Sequence, residues 1–221
     1  MALEYSNYQK KIFEETGSGQ RHLLIKASAG SGKTASLIES LNYLDIDLSW
    51  FLTSFGTKIV DKLKKEAPIS KKGEVKTLHS FGLKCLYKTF GSDNLTVDHN
   101  KTYTLIDKTI GKKLKNKELP YNLTEAVRKC KLTLSSSKEE ILETIQRFEI
   151  DLCELPEDEF VNHVSFLLNL SKKFNTVVDM EDMIWLHHVV PTKIQQFDRV
   201  FVDEFQDFFR AENELIFKSI K

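Results

Sequence analysis

Ala27-Ser28-Ala29-Gly30-Ser31-Gly32-Lys33-Thr34 is the stretch whose reading decides the fold. Before it runs His22-Leu23-Leu24-Ile25-Lys26, with the length and composition of a buried strand. After it, Leu37, Ile38, Leu41 and Leu44 recur at helical spacing. Strand, small-residue turn and helix in that order predict a phosphate-binding P-loop. Glycines and small residues let successive backbone N–H groups converge on phosphate oxygens, and the helix N-terminus adds a favourable dipole. On this reading Ala27, Ser28, Ala29, Gly30, Ser31, Gly32, Lys33 and Thr34 form the nucleotide cradle. Lys33 reaches the β- and γ-phosphates, and the Thr34 hydroxyl ligates Mg²⁺. Ala27 stands where the general GxxxxGK(S/T) pattern has its first glycine.

A P-loop ATPase also needs a carboxylate at the end of another strand to hold Mg²⁺, and a group beside the attacking water. Phe197-Asp198-Arg199-Val200-Phe201-Val202 reads as a strand that delivers Asp203 and then Glu204. Asp203 is the expected metal ligand, direct or through water, and Glu204 the expected orienter or base for that water. An acidic strand-to-helix loop could equally supply an N-cap and helix-dipole partners. The company of Gly32-Lys33-Thr34 favours the catalytic reading.

With 221 residues, 41% of them hydrophobic, the chain can bury one large domain or a domain with an insert. No apolar run approaches membrane-spanning length, and Met1-Ala2-Leu3-Glu4-Tyr5 lacks a signal-peptide pattern. The expectation is a protein of the cytoplasm, or of the nucleus in a eukaryote, that is neither secreted nor membrane-bound. Cys85, Cys130 and Cys153 are few, scattered and odd in number, which fits free thiols better than disulfides or zinc. The net charge is zero but segregated. Nine lysines face three acids from Lys58 to Lys88, and ten basic residues face three acids from Lys101 to Lys138. From Glu139 to Phe160, nine acids face Arg147 alone. Such blocks predict a basic face and an acidic face on one neutral molecule, or a set of solvated helix faces.

Along the chain, a short helix is predicted around Ser6–Phe13, ahead of the turn Gly17-Ser18-Gly19. Trp50-Phe51-Leu52-Thr53 reads as a buried strand, followed by a lysine-rich helix with Ile59, Val60 and Leu63 that Pro68 ends. Val75–Leu78 reads as a weaker strand leading into a helix with Leu83, Leu86, Tyr87 and Phe90 as its stripe. From Gly91 to Phe174 the periodic segments are helical, among them Tyr103–Leu114, Lys138–Phe148 and Glu157–Phe174, with no strand expected. A final helix is predicted over Glu212–Lys221. His187-His188 lacks a second metal-ligand pair, which points to structural use.

Asp203-Glu204-Phe205-Gln206-Asp207 after an apolar strand, with this P-loop, resembles the superfamily 1 helicases of the UvrD, Rep and PcrA kind. Other blocks follow in the same order. Gln9, beside Tyr8, sits where that family has its adenine-reading glutamine. Ser54-Phe55-Gly56-Thr57-Lys58 is similar to its Thr-Phe-Thr-Asn-Lys block, and Thr77-Leu78-His79-Ser80 to its Thr-Phe-His-Ser block. Both blocks face DNA in the family. Val178-Asp179-Met180-Glu181-Asp182-Met183-Ile184 resembles its Asp-Phe-Asp-Asp-Leu segment. Departures are Thr57 for asparagine, Ile59-Val60 for two alanines, and Ala35 where many relatives carry arginine.

The resemblance implies a RecA-like P-loop NTPase: an incomplete parallel α/β sheet with an all-helical inserted subdomain. Residues 1–90 and 175–221 would form the motor domain and 91–174 the insert. It implies an ATP- and Mg²⁺-dependent hydrolase that translocates on single-stranded DNA, with 3′→5′ unwinding, in DNA repair or replication. Lys33, Glu204 and Gln206 would be catalytic, Gln9 would bind ATP with the cradle, and Thr34 and Asp203 would bind the metal. Phe55, Thr57, Lys58, His79 and Ser80 would contact DNA. The chain stops at Lys221, before the family's Gly-Asp-x-x-Gln block and second motor domain. The expectation is therefore a fragment that binds ATP, hydrolyses it barely alone, and partners a C-terminal helicase half in cis or trans. A non-catalytic ATP- or DNA-binding module, or one half of a split helicase, shares every one of these motifs.

Overall fold

A computed structural model describes residues 4–19, 22–28, 30–68, 72–111 and 116–221. The chain divides into two compact units. Unit 1 comprises Met1–Leu78, Gln196–Phe208 and Lys218–Lys221, and unit 2 comprises His79–Gln195 and Phe209–Phe217.

Unit 1 opens with α1 (Asn7–Ser18) and α2 (Lys33–Ser40), followed by β1 (Trp50–Ser54), α3 (Thr57–Glu66) and β2 (Gly73–Val75). It closes on a strand that returns late in the chain, Arg199–Asp203, which is β5 in chain order. The sheet is parallel with β1 at its centre, β2 on one side and β5 on the other. Every residue of β1 is buried, as a central parallel strand covered on both faces requires. Trp50 and Leu52, with Phe201 of β5, pack on Leu37, Ile38 and Leu41 and on Leu63 of α3. Side chains alternate along a strand, so Phe51 projects from the opposite face, where it stacks on Phe197 at 5.3 Å. The α3 helix ends at Glu66, with Ala67 extended before Pro68 as the proline ring demands. The weaker strand expected at Val75–Leu78 is instead β2, and Leu78 already begins a helix.

One expectation fails in unit 1. His22–Lys26 forms no strand, and Leu23, Leu24 and Ile25 are 42%, 72% and 36% exposed. An apolar run becomes a buried strand only when a neighbouring ladder takes its N–H and C=O groups and other layers cover it. Among the described residues no strand pairs with this run.

Unit 2 is built on helices. In chain order they are α4 (Leu78–Phe90), α5 (Lys101–Thr109), α6 (Leu119–Thr133), α7 (Lys138–Arg147), α8 (Glu157–Lys173), α9 (Asp182–Val189) and α10 (Arg210–Lys218). Two-residue strands β3 (Thr96–Val97) and β4 (Val177–Val178) pair in parallel, where the sequence predicts no strand before Phe174. The core gathers Ile106, Leu123, Val127, Ile141, Val164 and Leu186, all buried, from five of these helices. Of the segments expected as helices, 112–115 lies outside the described residues. Ser137 and Glu140 form a capping box that fixes where α7 starts.

A charged cluster is sealed inside this unit. Lys101 Nζ donates to Asp182 Oδ2 at 2.6 Å and to the Ser171 carbonyl at 2.9 Å. Lys131 Nζ lies 2.7 Å from Asp179 Oδ2 and 2.8 Å from Asp182 Oδ1. Thr102 Oγ1 donates to Asp179 Oδ2 at 3.0 Å, and the Asp182 N–H donates to Asp179 Oδ1 at 2.8 Å. None of the four charged residues is more than 4% exposed. The basic block from Lys101 to Lys138 is therefore only partly a surface: two of its cations neutralise buried aspartates. Cys85, Cys130 and Cys153 are buried free thiols, and burial pushes Cys130 up to about 12. No helix among the described residues is long and apolar enough to cross a membrane.

Candidate nucleotide site

The turn before α2 is set by two glycines in the left-handed region, Gly30 at φ 76° and Gly32 at φ 82°. A Cβ there would be strained, so small flexible residues are what this turn requires. Ser31 N–H donates to the Ser28 carbonyl at 3.3 Å, and Gly32 caps α2 without a side chain. Gly30, Ser31 and Gly32 are exposed, so the N-terminus of α2 opens to solvent. Lys33 Nζ curls over the turn, donating to the carbonyls of Ala27 at 3.1 Å and Ser28 at 3.3 Å. Ala29 lies outside the described residues.

Across the sheet end, Thr34 Oγ1 donates to Asp203 Oδ2 at 3.0 Å. Residues 169 positions apart are thus brought together at the carboxyl end of a parallel strand, where open α/β sheets bind their ligands. Gln9 also reaches this turn. Its Nε2 donates to Ser36 Oγ at 3.0 Å, while its Oε1 accepts from Ser6 N–H at 2.9 Å in the capping box of α1. Ser36, which sequence reading passed over, links Gln9 to the Gly32 carbonyl at 3.0 Å.

Glu204 follows Asp203 in the left-handed region at φ 54°, a strained backbone for a non-glycine residue. Its Oε2 accepts from Gln206 Nε2 at 2.6 Å, and its carbonyl accepts from Asp207 N–H at 3.0 Å. The Glu204 carboxylate is thus coupled to Gln206 within this turn.

The residues expected at DNA fall in both units. Phe55 follows β1, is 46% exposed, and meets buried Phe208 edge-to-face at 5.8 Å. Thr57 and Lys58 are exposed in the first turn of α3. His79 and Ser80 belong to unit 2, in the first turn of α4; Ser80 is exposed and His79 half-buried. Burial holds the His79 imidazole below the usual histidine range, so it is neutral at pH 7. His187 is structural: its Nε2 donates to the Gly82 carbonyl at 3.0 Å, leaving Nδ1 to accept from Thr192 Oγ1 at 2.8 Å.

A hydroxyl and a single carboxylate side by side suit Mg²⁺, a hard ion held by one or two carboxylates with phosphates and water. No cluster of three His, Cys, Asp or Glu able to enclose a metal occurs among the described residues.

A mixed α/β chain with a short parallel sheet and a glycine-turned helix start at the sheet's carboxyl end is the class these features define. The UvrD/REP helicase N-terminal domain matches residues 6–220, and the chain belongs to that family. A comparison with curated proteins found no match.

Proposed function

We propose that this chain is the ATP-binding portion of a UvrD-like, ATP-dependent DNA helicase, with unit 1 as a RecA-like P-loop motor. The observation that carries this is the Thr34–Asp203 contact, because it joins a phosphate-binding turn to a metal-binding carboxylate across the sheet. The backbone N–H groups of Ala27–Gly32 receive the phosphates, and Lys33 exchanges its two loop carbonyls for the β- and γ-phosphates. Gln9 reads the adenine edge from the start of α1. Thr34 and Asp203 would hold Mg²⁺, which would supply positive charge to the phosphates when bound. Glu204, steered by Gln206, orients the hydrolytic water.

Phe55 offers an exposed aromatic face for a base, with Thr57 and Lys58 for the backbone of a single strand. In unit 2, Ser80 and neutral His79 are hydrogen-bonding rather than charged contacts. The proposed motor domain, 1–90 and 175–221, contains unit 1 together with His79–Phe90, Asn175–Gln195 and Phe209–Phe217 of unit 2, and 91–174 is the proposed helical subdomain. The family's 3′→5′ polarity and a role in DNA repair or replication are carried over with the resemblance.

Turnover needs a cation at the γ-phosphate in the transition state, worth about 10³ to 10⁵ in rate. Arg199 donates to the Asp198 carbonyl and Lys221 pairs with the Asp198 carboxylate at 2.8 Å. Arg199 begins β5, about 13 Å along the strand from Asp203, and Lys221 is held at Asp198, one residue further still. We infer that the isolated chain binds ATP but hydrolyses it barely above background, and that a C-terminal helicase half supplied in trans restores turnover. The test is DNA-stimulated phosphate release by the purified chain, with and without that half. Robust release by the chain alone, dependent on Lys33 and Glu204, would overturn the reading of an incomplete motor.

A further inference from the structure

Next to Asp203 lies a buried hydroxyl to which the nucleotide reading gives no task. Ser54 ends β1 and is the register partner of Asp203, which ends β5. Register partners in a parallel pair project from the same face of the sheet. Trp50 and Leu52 share that face with Ser54 and pack on Leu37 and Ile38 of α2. Ser54 and Asp203 therefore both face the helix whose first turn carries Thr34. Ser54 is 1% exposed, and its Oγ has no hydrogen-bond partner among the described residues. An unpaired buried hydroxyl is costly, and the rare native cases call for an explanation such as a ligand or an ordered water. Thr53 Oγ1 is equally buried and unpartnered but projects from the opposite face, which makes it an internal control.

We propose that Ser54 is a positioning residue of the nucleotide site, donating a hydrogen bond to a water in the hydration shell of the Mg²⁺ held by Thr34 and Asp203. The proposal rests on the Mg²⁺–nucleotide reading above. Neighbouring strands lie about 4.8 Å apart, so a serine one strand away from the metal's carboxylate is placed for the second layer rather than for direct ligation. Mg²⁺ dehydrates reluctantly and keeps several waters, which gives that second layer a partner. Removing an outer-shell hydrogen bond of this kind lowers metal affinity by about tenfold or more.

The experiment titrates Mg²⁺ into the chain at a fixed concentration of a fluorescent ADP analogue and reads anisotropy, with a parallel nucleotide titration in excess EDTA. Ser54→Ala should raise the half-saturating Mg²⁺ concentration about tenfold and leave metal-free nucleotide affinity unchanged. Ser54→Cys, which fills the same space with a poor donor, should behave like Ser54→Ala. Ser54→Thr keeps the hydroxyl and should stay near wild type, as should Thr53→Ala. Ser54→Ala should melt no lower than wild type, since it loses an unpaired group, so the metal effect is read on folded protein. A half-saturation point unmoved in both Ser54→Ala and Ser54→Cys, with Lys33→Ala still abolishing binding, would overturn the proposal and leave the nucleotide reading standing. An equal rise in Thr53→Ala would overturn it in favour of general packing. Nucleotide binding by wild type that ignores Mg²⁺ would overturn both.

Discussion

Lys131→Met tests whether the buried charge cluster holds unit 2 together. Lys131 is 1% exposed and is the cation shared by Asp179 and Asp182. Methionine keeps the stem and its contact with the Trp185 ring, over which the ammonium lies at 5.5 Å, so little packing volume is lost. The charge is what disappears. Asp182 keeps Lys101 at 2.6 Å, but Asp179 is left with the Thr102 hydroxyl and one backbone N–H. Leaving a buried carboxylate without its cation costs about 3–5 kcal/mol. For a domain of this size that is a fall of roughly 10–15 °C in Tm. Pairing Lys131→Met with Asp179→Leu removes the stranded anion, and much of the loss should return, because a buried ion pair replaced by apolar groups is often close to neutral. Urea denaturation followed by circular dichroism gives the free energies of the single and double variants. A single variant within 1 kcal/mol of wild type, or a double variant worse than the single, would refute the reasoning.

The same cluster makes unit 2 acid-sensitive. Burial pushes the Asp179 carboxyl up, but the charge and hydrogen bonds of Lys131 outweigh it and hold the group below the usual carboxylate range. A carboxyl depressed in the folded state stabilises fully above its unfolded pKa near 3.9 and loses that contribution as pH falls through the folded value. Melting curves from pH 5 to pH 2 should fall more steeply for wild type than for the Lys131→Met, Asp179→Leu pair; parallel curves would count against it. At the proposed DNA surface, Lys58→Ala should flatten the slope of log affinity against log salt by about 0.7, as expected for one phosphate contact on a single strand. Phe55→Ala should weaken binding by about 1–3 kcal/mol with the slope unchanged. Anisotropy with labelled oligonucleotides across a salt series separates the two, and a salt slope altered by Phe55→Ala would contradict stacking.

The turn before α2 was legible because its information is local: Gly30, Gly32, Lys33 and Thr34 lie within five positions, and the left-handed glycines carry the geometry themselves. The place of Asp203 at the end of an apolar strand was legible, although nothing in the sequence states its 3.0 Å contact with Thr34. His22–Lys26 misled because strand formation belongs to a pair of segments, and hydropathy reports only one of them. Lys101 and Lys131 misled in the same way. Counting charges places lysines on a surface, whereas their burial depends on Asp182 and Asp179, 81 and 48 residues away. The α6 helix was missed as a named element, although Leu119, Leu123, Val127 and Cys130 recur at its spacing. Ser54 could not have been singled out, since its significance lies in register with Asp203 and in the absence of a partner among the described residues.

The central claim is that the turn before α2 and the end of β5 form one Mg²⁺–nucleotide site. Titrating a fluorescent ATP analogue into wild type, Lys33→Ala and Asp203→Asn, each with Mg²⁺ and with EDTA, tests it most directly. Lys33→Ala should lose affinity by at least about tenfold in both conditions, for want of the ammonium at the phosphates. Asp203→Asn is expected to bind as wild type does in EDTA and to gain little from Mg²⁺. Equal affinities for all three proteins, with the same response to Mg²⁺, would contradict it.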